Sequence, residues 1–140
     1  MEMAGRSEEA LALAEAAVAK VPAEKLGAVP QLWERYFRLA VAAQLRLPES
    51  QRDWTTVDDL LDRVAASPDA DRLIVERRRI DLLSAREGLP AALEASDAAL
   101  EASPGAAALL GQRVLLLTSL ERVDEARRLL EGLPDEVRDS

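Results

Sequence analysis

Apolar positions recur along this chain at the three-to-four-residue spacing of helices, in short runs broken by proline and glycine. The first run, Ala10, Ala14, Ala17 and Val18, predicts a helix from Ser7 to about Lys20. Ser7 is placed as its N-cap, Glu8 and Glu9 suit the positive end of the dipole, and Pro22 lies just past its end. The second helix is predicted from Pro30 to about Arg46. Leu32, Trp33, Tyr36, Phe37, Leu39, Ala40 and Ala43 form its broad apolar face, and Glu34, Arg35 and Arg38 fall on the other side. Pro48 and the polar run around it predict a loop over Leu47 to Trp54. A third helix is predicted from Thr55 to Ser67, opened by the capping-box spacing of Thr55 and Asp58, with Leu60, Leu61 and Val64 inward.

Ser67-Pro68-Asp69 reads as a start signal of cap, N1 proline and acid. The fourth helix follows to about Arg86, with Leu73, Ile74, Ile80, Leu82 and Leu83 as its apolar residues, and Gly88 stops it. Pro90 opens a fifth helix that ends at Ser103, and Ser103-Pro104 opens a sixth that reaches about Ser119. The centre of the sixth, Val114 to Leu117, is apolar all round, which predicts cover on most sides. A seventh helix is predicted from about Arg122 to Glu131, with Gly132 as its stop, and Pro134-Asp135-Glu136 resembles the start of an eighth.

Composition points the same way. Of 140 residues, 49% are hydrophobic but only 3% aromatic, so Ala, Leu and Val must build the core of an all-α domain spanning 1–140. The net charge of −8 argues against nucleic acid or an anionic membrane as partner. With no cysteine and no histidine, disulfides, thiolate chemistry, imidazole catalysis and His-ligated metals are excluded. No phosphate-binding glycine loop and no activated nucleophile is present, so no enzymatic activity, cofactor or metal is expected. Asp58, Asp59 and Asp62 read as a solvated first turn of a helix, not as a ligand set. No apolar run approaches the roughly 18 residues of a membrane span. Glu15 interrupts Leu11–Ala19, and Glu2, Glu8 and Glu9 stand where a signal sequence needs basic residues, so a soluble cytoplasmic chain is expected.

The runs repeat. Ala92 and Ala126 each open a run of small and apolar positions and lie 126 − 92 = 34 residues apart. Ala66-Ser67-Pro68 and Ala102-Ser103-Pro104 are 36 residues apart in matching places. Pro22 and Pro68 are 46 apart, and the Leu47–Trp54 loop absorbs most of the surplus. In this register the chain resembles the tetratricopeptide repeat family. Gly5–Pro22 resembles the second half of such a repeat, and Gly88–Pro104 matches better through Ala92, Ala99, Leu100 and Pro104. The family's Trp, Gly and Tyr are mostly absent from the first helices, and Val114 stands where a small residue is expected. The resemblance covers about three and a half repeats. It implies antiparallel helix hairpins stacked as a short right-handed α-solenoid of about seven helices, whose first helices line a concave groove.

That resemblance makes Arg35, Arg38, Arg77 and Arg78, with Arg72 beside them, candidates for gripping carboxylates of a partner protein or peptide. The same arginines have a second reading, as partners of Glu34, Asp69, Asp71, Glu76 and Asp81 on their own or adjacent helices. The ends raise another question. The first helix has no preceding partner, and Leu129, Leu130 and Leu133 have only a stub after them. Either a second copy or another chain covers these faces, or the tail Leu133–Ser140 folds back as a cap. The expected work is that of a protein-binding adaptor. The alternative is a self-association element forming a homodimer, or a piece of a larger regulator.

Overall fold

The computed structural model describes residues 2–132, and side chains from residue 5 onward. The described chain is all-α, with no strand: α1 Glu2–Ala19, α2 Pro30–Leu45, α3 Thr55–Ala66, α4 Arg72–Glu87, α5 Leu89–Ala102, α6 Ala107–Ser119 and α7 Val123–Glu131. Short 3-10 segments at Ala23–Ala28 and Glu49–Gln51 flank α2. Neighbours in sequence pack on one another: α1 on α2, α2 on α3, α5 on α6 and α6 on α7. Contacts divide the chain into two compact units, Met1–Val75 and Glu76–Ser140, with the boundary inside α4.

The first unit is built around aromatic rings. Trp33, Tyr36, Phe37 and Ala40 form the buried stripe of α2, and Val57, Leu60, Leu61 and Val64 that of α3. Trp54, at the entry to α3, is buried with them. Helix α1 begins at Glu2, before the expected Ser7. Met3, Ala4 and Arg6 are good helix formers and, with Gly5 among them, continue the helix on the N-terminal side of Ser7. The loop after α2 is more ordered than its composition suggests. Arg52 turns its Nε onto the carbonyls of Gln44 (3.1 Å) and Leu47 (3.0 Å), satisfying exposed acceptors at the end of α2. Helix α3 starts where expected but is not opened by a Thr55–Asp58 box. Trp54 is its N-cap, and Asp53 Oδ1 accepts from the Thr55 N–H at 3.0 Å. Hydrogen bonds from the Thr55 side chain and then its backbone hold the Asp53 carboxyl below the usual carboxylate range.

The expected start of α4 at Ser67-Pro68 is corrected. Helix α4 begins at Arg72, where Asp71 Oδ1 accepts from the N–H groups of Leu73 (2.9 Å) and Ile74 (3.4 Å). Ser67 is unavailable as a cap because a distant contact holds its hydroxyl. Its Oγ accepts from the Gly27 N–H at 3.1 Å and donates to the Glu24 carbonyl at 2.9 Å. This ties the Ala23–Ala28 segment to the end of α3, and Leu26 is fully buried beside it. The approach is close enough to require glycine. A Cβ on Gly27 would lie 2.5 Å from the Ala70 nitrogen. Ser67 and Ser103 nevertheless make the same backbone turn, since their carbonyls accept from Ala70 and Ala106, each at 3.1 Å. The sixth helix shares the correction, beginning at Ala107 beyond Ser103-Pro104.

The second unit is built from small and aliphatic side chains. Ala92, Ser96 and Ala99 line the buried face of α5, and Leu109, Leu116 and Leu117 that of α6, with Ile80 and Ala126 joining them. Gly88 separates α4 from α5 with φ 102° and ψ 170°, a conformation open essentially to glycine alone. Between α6 and α7 the Arg122 N–H reaches the Leu117 carbonyl (2.9 Å) and the Glu121 N–H reaches Thr118 (3.0 Å), which is the Schellman pattern. Its left-handed position is held by Glu121, at φ 60°, and not by glycine. The expectation that α6 is covered on most sides is corrected at one position. Leu115 is 69% exposed, because α5 and α7 cover only the faces carrying Leu109, Leu116 and Leu117.

Candidate partner-binding surface

The heptad-like alternation of α2 decides where its arginines go. Trp33, Tyr36, Phe37 and Ala40 turn inward, so Arg35 and Arg38, one turn apart, lie together on the exposed face. Helix α4 treats its arginines differently. Arg77 and Arg78 belong to the second unit and are half-buried. Arg78 pairs with Asp81 one turn along, and the other Asp81 oxygen accepts from Gln112 Nε2 at 2.9 Å. The same Nε2 donates to the Arg77 carbonyl at 3.0 Å. The buried Gln112 thereby ties α6 to α4, and the Arg78 charge is part of that tie. This is the pairing that the second reading of the arginines anticipated for Asp81.

The apolar candidates also divide. Leu129 packs part-buried against the second core, whereas Leu130 is 45% exposed. Leu133, the tail cap and the incipient eighth helix lie outside the described residues.

Two cavities accompany these surfaces. In the second unit an open cavity of about 620 Å³ is walled by Glu87, Glu94, Asp97, Arg113 and Arg122. Its charges are largely engaged. Arg113 pairs across to Asp97, and Arg122 grips both oxygens of Glu125 at 2.8 and 2.6 Å. In the first unit a cavity of about 290 Å³ opens among α1, α2 and α3, with Glu15, Tyr36, Asp59 and Arg63 in its wall. Burial raises the Tyr36 phenol above its ordinary value, Glu15 raises it further, and Arg63 opposes them. Sequence reasoning missed this group. Glu15 read only as a break in an apolar run, Tyr36 as core, and Asp59 as part of a solvated turn. Each comes from a different helix, so no local spacing announces them.

Among the described residues no group of three or more His, Cys, Asp or Glu is placed to hold a metal. No described helix is long and apolar enough to cross a membrane. Comparison with protein-family models, with curated proteins and with solved structures returned no match.

Proposed function

We propose that this chain is a tetratricopeptide-like interaction module, without catalytic activity, that holds an acidic segment of a partner protein against the exposed face of α2. The observation that carries this reading is the arrangement of α2 itself. One face is anchored in the aromatic core, so the other presents Arg35 and Arg38 on a rigid element. Guanidinium groups one turn apart suit successive carboxylates of an extended or helical segment. The repeat assignment is supported by the two Ala-Ser-Pro turns, 36 residues apart in sequence and closed by the same backbone hydrogen bond. Arg77 and Arg78 contribute less to binding in this reading, because Arg78 is engaged with Asp81. A cytoplasmic location is part of the proposal.

Fluorescence anisotropy with a labelled Glu-rich peptide tests it, using a Lys-rich peptide of equal length as control. The acidic peptide should bind at low salt and weaken as salt rises. Arg35→Glu with Arg38→Glu should reduce its affinity about tenfold or more. Equal binding by wild type and this variant would remove α2 as the binding face.

A second reading has its own observation. Leu130 on α7 is 45% exposed at one end of the described chain. If a second copy covers it together with Leu129 and Leu133, sedimentation velocity will show a dimer that Leu130→Asp dissociates. A monomer at all concentrations would remove this reading.

A further inference from the structure

We propose that the exposed face of α1 is a self-association surface, on which a second copy of this chain packs its own α1 antiparallel. Helix α1 has two unlike sides. Val18 is buried and Ala10, Leu11 and Ala14 are half-buried on the side that meets α2. The other side carries Glu9, Leu13, Ala16 and, one residue past the helix end, Lys20. All four are exposed, and Leu13 is open over 65% of its surface. They follow one another at steps of four, three and four residues, the spacing of a helix–helix seam.

The order of side chains along that seam identifies the occupant. It runs acid, leucine, alanine, base. Glu9 and Lys20 lie equally far from a point between Ala14 and Glu15, and Leu13 and Ala16 share the same midpoint. A two-fold axis through that point sets Glu9 against the partner's Lys20 and Leu13 against the partner's Ala16, each pair occurring twice. A surface on which one residue meets another and is met by it in return is the self-complementary kind that a two-fold dimer needs. Parallel helices in register would place Glu9 on the partner's Glu9 and Lys20 on the partner's Lys20, so charge selects the antiparallel pairing. Size agrees with charge, because a large side chain meets a small one at both apolar contacts. Ala12, exposed beside the seam, lets the helix axes approach to about 8 Å, the near end of helix packing distances. At that spacing Leu13 exchanges water for the partner's Ala16. One helix face a side is a small interface, so the dimer is a reversible one. The surface lies in the first unit and uses neither the α2 arginines nor Leu130 of α7.

The test is sedimentation velocity on the full-length chain from about 1 μM to about 1 mM, with far-UV circular dichroism as the control for folding. Wild type is expected to pass from monomer to dimer within this range. Glu9→Lys alone and Lys20→Glu alone each set like charges against one another at both ends of the seam, and each should weaken the dimer about tenfold or more. An equimolar mixture of these two singly substituted chains pairs unlike charges again and should dimerise within about threefold of wild type. Leu13→Asp should leave a monomer. All three positions are exposed, so helix content should not change. Leu130→Asp should leave this dimer intact. The proposal is overturned if wild type stays monomeric throughout, the result expected if a different partner covers α1. It is equally overturned if the single charge variants dimerise as wild type does, or if mixing them restores nothing. A dimer that Leu130→Asp dissociates and the α1 variants do not belongs to α7 and also overturns it. None of these outcomes involves the acidic-peptide assay, so the α1 surface and the α2 face stand or fall separately.

Discussion

In the first unit Trp33, Tyr36, Phe37 and Trp54 fill the core, whereas in the second the interior is Ala92, Ser96 and Ala99 set against Leu109, Leu116 and Leu117. These are the chain's four aromatic residues, and all of them serve one unit. Large rings fill space from one helix and tolerate wider helix spacing. Small residues fill it only when helices approach closely. Polar groups differ in parallel. The first unit uses Ser67, Gln44 and Arg52 to fix its connections and leaves Arg35 and Arg38 at the surface. The second commits Arg78, Arg113 and Arg122 to carboxylates of its own. The comparison teaches that arginine in this acidic chain has two employments, and that a carboxylate within reach, not exposure alone, separates them: Arg122 is as exposed as the α2 pair yet is held by Glu125.

The sharpest way to break the contrast is to remove an anchor from each core. Trp33→Ala should cost about 4 kcal/mol and Leu109→Ala about 3 kcal/mol by chemical denaturation. A larger loss at Leu109 would deny the aromatic ring its leading place. Next comes the close approach at Gly27. Gly27→Ala should destabilise by about 3 kcal/mol, since the backbone of Ala70 must move to admit the methyl group. Gly105→Ala, where a Cβ meets nothing within 4 Å, should stay within about 0.5 kcal/mol of wild type.

The paired Ser-Pro turns give a finer comparison, because the backbone hydrogen bond is the same in both. Ser67→Ala removes a buried hydroxyl that serves Gly27 and Glu24 and should cost about 2 kcal/mol. Ser103→Ala should cost no more than about 0.5 kcal/mol, and equal losses would mean that the turn itself, not the long-range contact, carries the effect. The last effect is a gain. Glu121→Gly relieves a left-handed backbone and should stabilise by about 1 kcal/mol, seen as a higher melting temperature.

These residues also mark what could be read in advance. The existence of each helix followed from apolar periodicity, and α2 was legible down to which arginines face outward, because its stripe of large side chains is unambiguous. Helix starts at Ser67 and Ser103 were misplaced by several residues. A serine before proline carries a local capping signal, and nothing local reveals that Gly27, 40 residues away, claims the Ser67 hydroxyl. The burial of Leu26 and Gly27 in the Ala23–Ala28 segment comes from the same tertiary contact. The commitment of Arg78 could be suspected from Asp81 three residues on, but the part played by Gln112 could not. The Glu15–Tyr36–Asp59 cavity exists only after three helices assemble, so no pattern within any one of them encodes it.

The exposed α2 arginines are the centre of the functional account, and mapping a bound acidic peptide tests them most directly. The labelled full-length chain is titrated with the Glu-rich peptide and its amide shifts are followed residue by residue. The account predicts the largest shifts on α2 around Arg35 and Arg38, with α7 unmoved. Shifts confined to α7 around Leu130, or a saturating response that leaves α2 untouched, would contradict it.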